Sequence, residues 1–152
     1  METNHSIKDR HGISYRVESE MGIGWTLYVW HGDTVIGEML CSFARPVLKI
    51  GNLQIYHAVR VPETSVARFW SKLVGRPAPT IDYRTRGLGT AMLQLIEVLA
   101  KAKGFTGLQG WISDVDYVPN PRLPAWYRAR GYTVITTKGE IGRQVATIHK
   151  EL

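Results

Sequence analysis

One cysteine, Cys41, stands among 152 residues, so neither a disulfide framework nor a cysteine-based zinc site can be built within one chain. No metal is expected, and a cytoplasmic address is the default. Cys41 lies in an apolar stretch, where a lone thiol behaves as a small hydrophobe rather than a nucleophile. Long apolar runs are lacking too. The start, Met1 to Ser6, is polar, and no segment approaches the length of a signal core or a membrane span. Neither secretion nor a membrane partner is expected. Acidic residues are the scarcer charge, 13 against 19 Lys and Arg, leaving a formal +6. That excess draws phosphates, nucleic acid or acidic protein surfaces, and equally serves solubility. Apolar residues at 44% and charged residues at 21% leave no signature of disorder, so one domain over 1–152 is expected to bury its own core.

From Ile13 to Val59 apolar residues alternate: Ile13, Tyr15 and Val17, then Trp25, Leu27 and Val29. Alternation predicts antiparallel strands, with tight turns at His31-Gly32-Asp33 and at Gly51-Asn52. An inserted segment at about 61–82 breaks the rhythm. Inside it Val66, Phe69, Trp70 and Leu73 recur at helical spacing over Ser65–Val74. A longer helix follows from Gly87 to Lys103, with Leu88, Met92, Leu95, Ile96 and Leu99 on one face and Gly104 as its stop. Then come a strand at Gly107–Ile112, a short helix at Leu123–Arg130 ended by Gly131, and a hairpin of Thr133–Thr137 with Gln144–His149. The order predicts an α/β (α+β) domain: a mixed, mostly antiparallel sheet of six to seven strands with helices on both faces.

Chemistry concentrates at Tyr83-Arg84-Thr85-Arg86-Gly87-Leu88-Gly89-Thr90, just ahead of the longest helix. The first amides of a helix lack intrahelical partners and sit at the positive end of its dipole, so an anion placed there meets several donors at once. Gly87 and Gly89 allow close backbone approach, and Arg84 and Arg86 are expected to add mobile positive charge. The ensemble suits a pyrophosphate. The spacing is neither that of a nucleotide-triphosphatase P-loop nor that of the three-glycine dinucleotide fingerprint.

Arg84, Gly87 and Gly89 resemble the coenzyme-binding signature Gln/Arg-x-x-Gly-x-Gly/Ala of the GCN5-related N-acetyltransferase (GNAT) family. Downstream, Asn120, Tyr127, Gly131 and Tyr132 resemble that family's Asn…Tyr-x-x-x-Gly-Phe/Tyr segment. The resemblance implies a GNAT-like acyl-CoA N-acyltransferase fold and transfer of acetyl from acetyl-CoA to a primary amine of a protein or small metabolite, by direct attack on the thioester. It implies that amides of Arg84, Thr85, Arg86, Gly87, Leu88, Gly89 and Thr90 hold the pyrophosphate. Asn120 would contact the pantetheine arm or order the helix beside it, and Tyr127 would be the general acid. The base that relieves the amine of its proton is left among Glu38, His57 and Asp82.

Two departures from the family are visible. Helices usually stand between its first two strands, where Glu18 to Gly24 leaves room only for a turn; the inserted helix, through Val66, Phe69 and Trp70, is expected to wall the acceptor site instead. A different class of function is a non-catalytic module of the same fold that holds nucleic acid or an acidic partner by basic charge. A homodimer is the default oligomer.

Overall fold

The structure is a computed structural model and describes residues 3–60, 65–77, 79–136 and 144–152. Five strands come first: β1 (Thr3–Lys8), β2 (Ser14–Met21), β3 (Gly24–His31), β4 (Thr34–Ala44) and β5 (Val47–Ile55). A ribbon of β6 (Val59–Arg60) and β7 (Thr80–Ile81) brackets helix α1 (Ser65–Val74), and a single 3-10 turn at Arg84–Arg86 leads into α2 (Leu88–Ala102). The chain closes with β8 (Gly107–Ser113), α3 (Asp114–Tyr117), α4 (Leu123–Arg128), β9 (Thr133–Thr136) and β10 (Gln144–Glu151). The main sheet has eight strands in the order β1-β2-β3-β4-β5-β8-β10-β9.

The six to seven strands expected become eight in this sheet because β1 escapes the pattern. Its sequence Thr-Asn-His-Ser-Ile-Lys is mostly polar and inserts only Ile7 into the core, as befits an edge strand paired on one side with β2. The turn expected at Gly51-Asn52 is absent: β5 runs through both residues, and the reversal lies at Arg45-Pro46 instead. A Cβ on Gly51 would sit 3.6 Å from the Leu40 carbonyl oxygen, an ordinary contact that does not itself require glycine. Between β2 and β3 only Gly22 and Ile23 intervene, so no helix stands there. Thr137 of the expected final hairpin lies outside the described residues.

The described chain forms two compact units. The first comprises 1–22, 26–39 and 53–94. Its core draws on Tyr15 and Val17 of β2 and Leu27 and Val29 of β3, which alternate, on Ile36 and Met39 of β4, which stand three residues apart, and on Leu88, Met92 and Leu93 from the first turns of α2. The second comprises 23–25, 40–52 and 95–152. There Leu48 and Ile50 on β5, Leu108 and Ile112 on β8, and Ala146 and Ile148 on β10 are buried together with Ile96 and Ala100 of α2. Leu93 and Ala100 are buried where Leu95 and Leu99 were expected, so the buried stripe of α2 is rotated slightly from the sequence estimate. In the second unit Lys150 Nζ pairs with Glu97 Oε2 at 2.8 Å and donates to the Arg130 carbonyl at 3.0 Å, while Tyr132 Oη donates to Glu97 Oε1 at 3.1 Å. These bonds tie β10 to α2 and to the Gly131 turn.

Candidate functional site

In the first unit the glycine motif enters α2 through a left-handed residue. Gly87 has φ +82°, which an L side chain adopts only with strain, and it ends the 3-10 turn so that α2 can begin at Leu88. The turn itself consumes amides. Arg84 N–H donates to Asp82 Oδ1 at 3.0 Å and Arg86 N–H to the Tyr83 carbonyl at 3.2 Å. The first helical bond runs from Ala91 N–H to the Gly87 carbonyl at 3.2 Å. Ahead of it stand the amides of Gly87, Leu88 and Gly89, at the positive end of the α2 dipole. Within the cradle expected from Arg84 to Thr90, the amides of Arg84 and Arg86 are engaged inside the turn itself.

The two arginines are not the mobile charges expected of them. Arg84 forks onto Asp82, with contacts of 2.7, 3.0 and 3.3 Å. Arg86 reaches the Tyr15 hydroxyl at 3.3 Å and the Asp9 carboxylate at 3.6 Å, and lies over the Tyr83 ring at 5.4 Å. Its carbonyl also accepts from Arg10 N–H at 2.9 Å. Asp9, whose side chain is wholly shielded, accepts from the amides of His11 and Ile13 at 2.9 Å each and from Tyr15 Oη at 3.1 Å. Burial alone would raise its pKa; the hydrogen bonds from Ile13, His11 and Tyr15 outweigh that and hold it below the ordinary 3.8. Tyr83 Oη meets His31 Nδ1 at 2.6 Å, and the rings of Tyr15, His31 and Tyr83 pack edge to face. The β1–β2 loop thus clamps the turn that carries the motif. Sequence patterning missed Asp9, Tyr15 and His31, because partners 52 to 77 positions away leave no local signal.

The base candidates separate in this unit. Asp82 is held down to about 2, chiefly by the Arg84 guanidinium, which makes it a poor proton acceptor. Glu38 on β4 takes a hydrogen bond from Tyr56, whose phenol is raised by burial, then by Glu38 and by Tyr28. Tyr28 alternates with the buried Leu27 and Val29, so it occupies the opposite face of the sheet from them. Alternation alone did not single out Tyr56 as a neighbour of both Glu38 and Tyr28. His57 is exposed beyond the end of β5, near enough to Asp82 for its charge to be felt there. It precedes Ala58, which is held at φ +52°.

The second unit holds the other motif. Tyr127 on α4 is buried, edge-on to Trp126 at 4.8 Å and to Tyr132 at 5.5 Å. Burial, with the Asp116 carboxylate adding to it, pushes its phenol up to about 12, so it is a proton donor at neutral pH. Asn120 is exposed; its carbonyl accepts from Leu123 N–H at 3.0 Å and so shapes the entry to α4. Burial raises the Cys41 thiol to about 12, leaving it protonated and unreactive as expected. The parallel ladder between β5 and β8 extends from Val47↔Gly107 to Ile50↔Gly110, although β5 and β8 both continue past it. Among the described residues no group of His, Cys, Asp or Glu could hold a metal ion, and no helix is long and apolar enough to cross a membrane.

No protein-family model matches the sequence, and no curated protein matches it. Solved structures do resemble it. The PaiA N-acetyltransferase of Thermoplasma acidophilum, in complex with coenzyme A, aligns with a TM-score of 0.55 at 15% identity, over 84% of this chain and 60% of that one, so this chain spans less than two thirds of it. The IAA acetyltransferase of Bacillus cereus gives 0.54 at 17% identity, over 86% and 79%. A GNAT-family acetyltransferase of Staphylococcus aureus gives 0.56 at 9% identity, over 85% and 68%. At these identities the likeness is one of architecture, and with the strand order and the placement of the glycine motif it identifies the fold of this chain as that of the GCN5-related N-acetyltransferases.

Proposed function

We propose that this chain is an acetyl-CoA-dependent N-acetyltransferase acting on a primary amine of a small metabolite or protein. The observation that carries the proposal is the entry to α2, where a left-handed Gly87 ends the 3-10 turn and the amides of Gly87, Leu88 and Gly89 precede the bond from Ala91 N–H to the Gly87 carbonyl. An anionic diphosphate fits that feature. A structural neighbour with coenzyme A bound has the same architecture.

Acetyl-CoA would supply an acetyl group already activated as a thioester. The three amides at the head of α2 would hold its pyrophosphate, and Asp9 would fix the turn that presents them. The protonated Tyr127 would give its proton to the departing sulfur. Glu38, hydrogen-bonded by Tyr56, is the base we favour over Asp82, whose pKa near 2 leaves too weak a driving force to take a proton from an ammonium. A main-chain N–H donor beside the thioester would stabilise the developing oxyanion charge, and direct attack by the amine needs no side-chain nucleophile.

The test is thermal melting with and without acetyl-CoA, followed by release of coenzyme A across a panel of amines. A ligand that binds only the folded chain at a hundredfold excess over Kd adds about 2.7 kcal/mol of apparent stability. Wild-type protein is expected to show that upward shift. Gly89→Glu, which sets bulk and negative charge at the phosphate position, is expected to lose it while melting normally without ligand. An unchanged shift in Gly89→Glu removes the head of α2 as the donor site.

A further inference from the structure

Helix α1 does not behave as part of a core. Every described side chain on it is exposed, including Val66 at 67%, Phe69 at 62%, Trp70 at 59%, Leu73 at 63% and Val74 at 60%. These five apolar groups are not scattered. They occupy about 140° of the helix circumference, with Arg68 and Lys72 on the opposite arc. A helix of 10 residues is too short to be stable alone in water. Its apolar arc therefore calls for a surface that this chain does not provide among its described residues.

The charge around that arc chooses the surface. Between Arg60 and Ile81 the sequence carries Arg60, Arg68, Lys72 and Arg76 against a single acid, Glu63. We infer that α1 is an interfacial helix that seats this protein on an anionic lipid surface, its Phe69, Trp70 and Leu73 at the acyl boundary and its basic residues among the headgroups. Aromatic and leucine side chains on one face with Lys and Arg on the other is the pattern that partitions into that interface, and juxtaposed basic residues add electrostatic attraction to acidic headgroups. Other occupants fit less well. Nucleic acid would engage the basic arc and leave Phe69 and Trp70 in water. A second copy would meet a like-charged helix only about 15 Å long, short of the about 800 Å² per partner that stable pairs bury. The expectation of no membrane partner rested on the lack of a spanning segment, which does not bear on a helix lying in the interface. The inference is independent of the acetyltransferase proposal.

The experiment is co-sedimentation of the full chain with vesicles of phosphatidylcholine alone and of phosphatidylcholine mixed with phosphatidylserine. Binding is expected to the mixed vesicles and not to the neutral ones, with release on raising salt and a blue shift of tryptophan emission that Trp70→Phe diminishes. Phe69→Ser with Trp70→Ser is expected to reduce binding to background. Lys72→Gln with Arg76→Gln should weaken it about thirtyfold. All variants change exposed side chains, so an unaltered melting temperature serves as the control for folding. Equal binding to neutral and acidic vesicles, or binding indifferent to both double variants, overturns the inference. So does failure to bind either vesicle by wild-type protein, including the case in which α1 instead mediates a concentration-dependent dimer or seats in an acidic groove of another protein.

Discussion

Tyr127 shows how one side chain's surroundings fix its role. Its burial against Trp126 and Tyr132 removes water from the phenol, and the Asp116 carboxylate opposes ionisation further, so the hydroxyl stays protonated far above neutral pH. A proton donor that never empties over the working range should contribute no falling limb to the pH profile between pH 6 and pH 9. Tyr127→Phe keeps the ring and its edge contacts and deletes only the donor. If the acetyltransferase proposal holds, the variant should lose about a hundredfold to ten-thousandfold in kcat, with the acetyl-CoA thermal shift retained. Steady-state kinetics and melting on the same preparation check both halves. Full turnover in the variant would hand the proton to water or to another residue.

At the scale of elements, Gly87 is where the local chain and the site depend on each other. A Cβ there would meet Arg10 alone, its Cβ at 3.7 Å and its backbone N at 3.8 Å, both ordinary contacts, so Gly87→Ala should cost backbone strain and not a clash. With φ at +82° the expected loss is about 1 kcal/mol, read as a lower urea midpoint at constant m, with a smaller acetyl-CoA shift. An unchanged midpoint would mean that the turn relaxes freely. The motif around this residue was legible in the sequence because its information is local: two glycines flanking Leu88, with Met92 and Ile96 following at helical spacing, declare a helix head. Helix α1 was legible to the residue for the same reason. Gly51-Asn52 misled, because β5 continues straight through both residues, and β1 was invisible because a polar edge strand carries one apolar residue. The pairing of Arg84 with Asp82 and of Arg86 with Asp9 could not be foreseen from charge composition, which counts ions without joining them.

For the molecule as a whole, the excess of basic residues sets how it meets acid. As pH falls, carboxylates that offset 19 Lys and Arg are neutralised and repulsion among the remaining charges grows. Asp9 makes that decline steeper. Its folded pKa lies below the ordinary 3.8, so the unfolded chain binds the proton more readily; the stability it confers is complete above the unfolded value and disappears as pH falls through the folded one. Asp9→Asn can keep acceptor bonds to His11 and Ile13 but loses the charge opposite Arg86. The variant should therefore be less stable than wild type at pH 7, and the gap should close below about pH 4, where wild-type Asp9 is itself becoming neutral. Urea midpoints from pH 7 down to pH 3 measure the gap directly. If it stays constant across that range, Asp9 contributes shape and hydrogen bonds to the clamp but not charge, and the grip of the β1–β2 loop on Arg86 is not electrostatic.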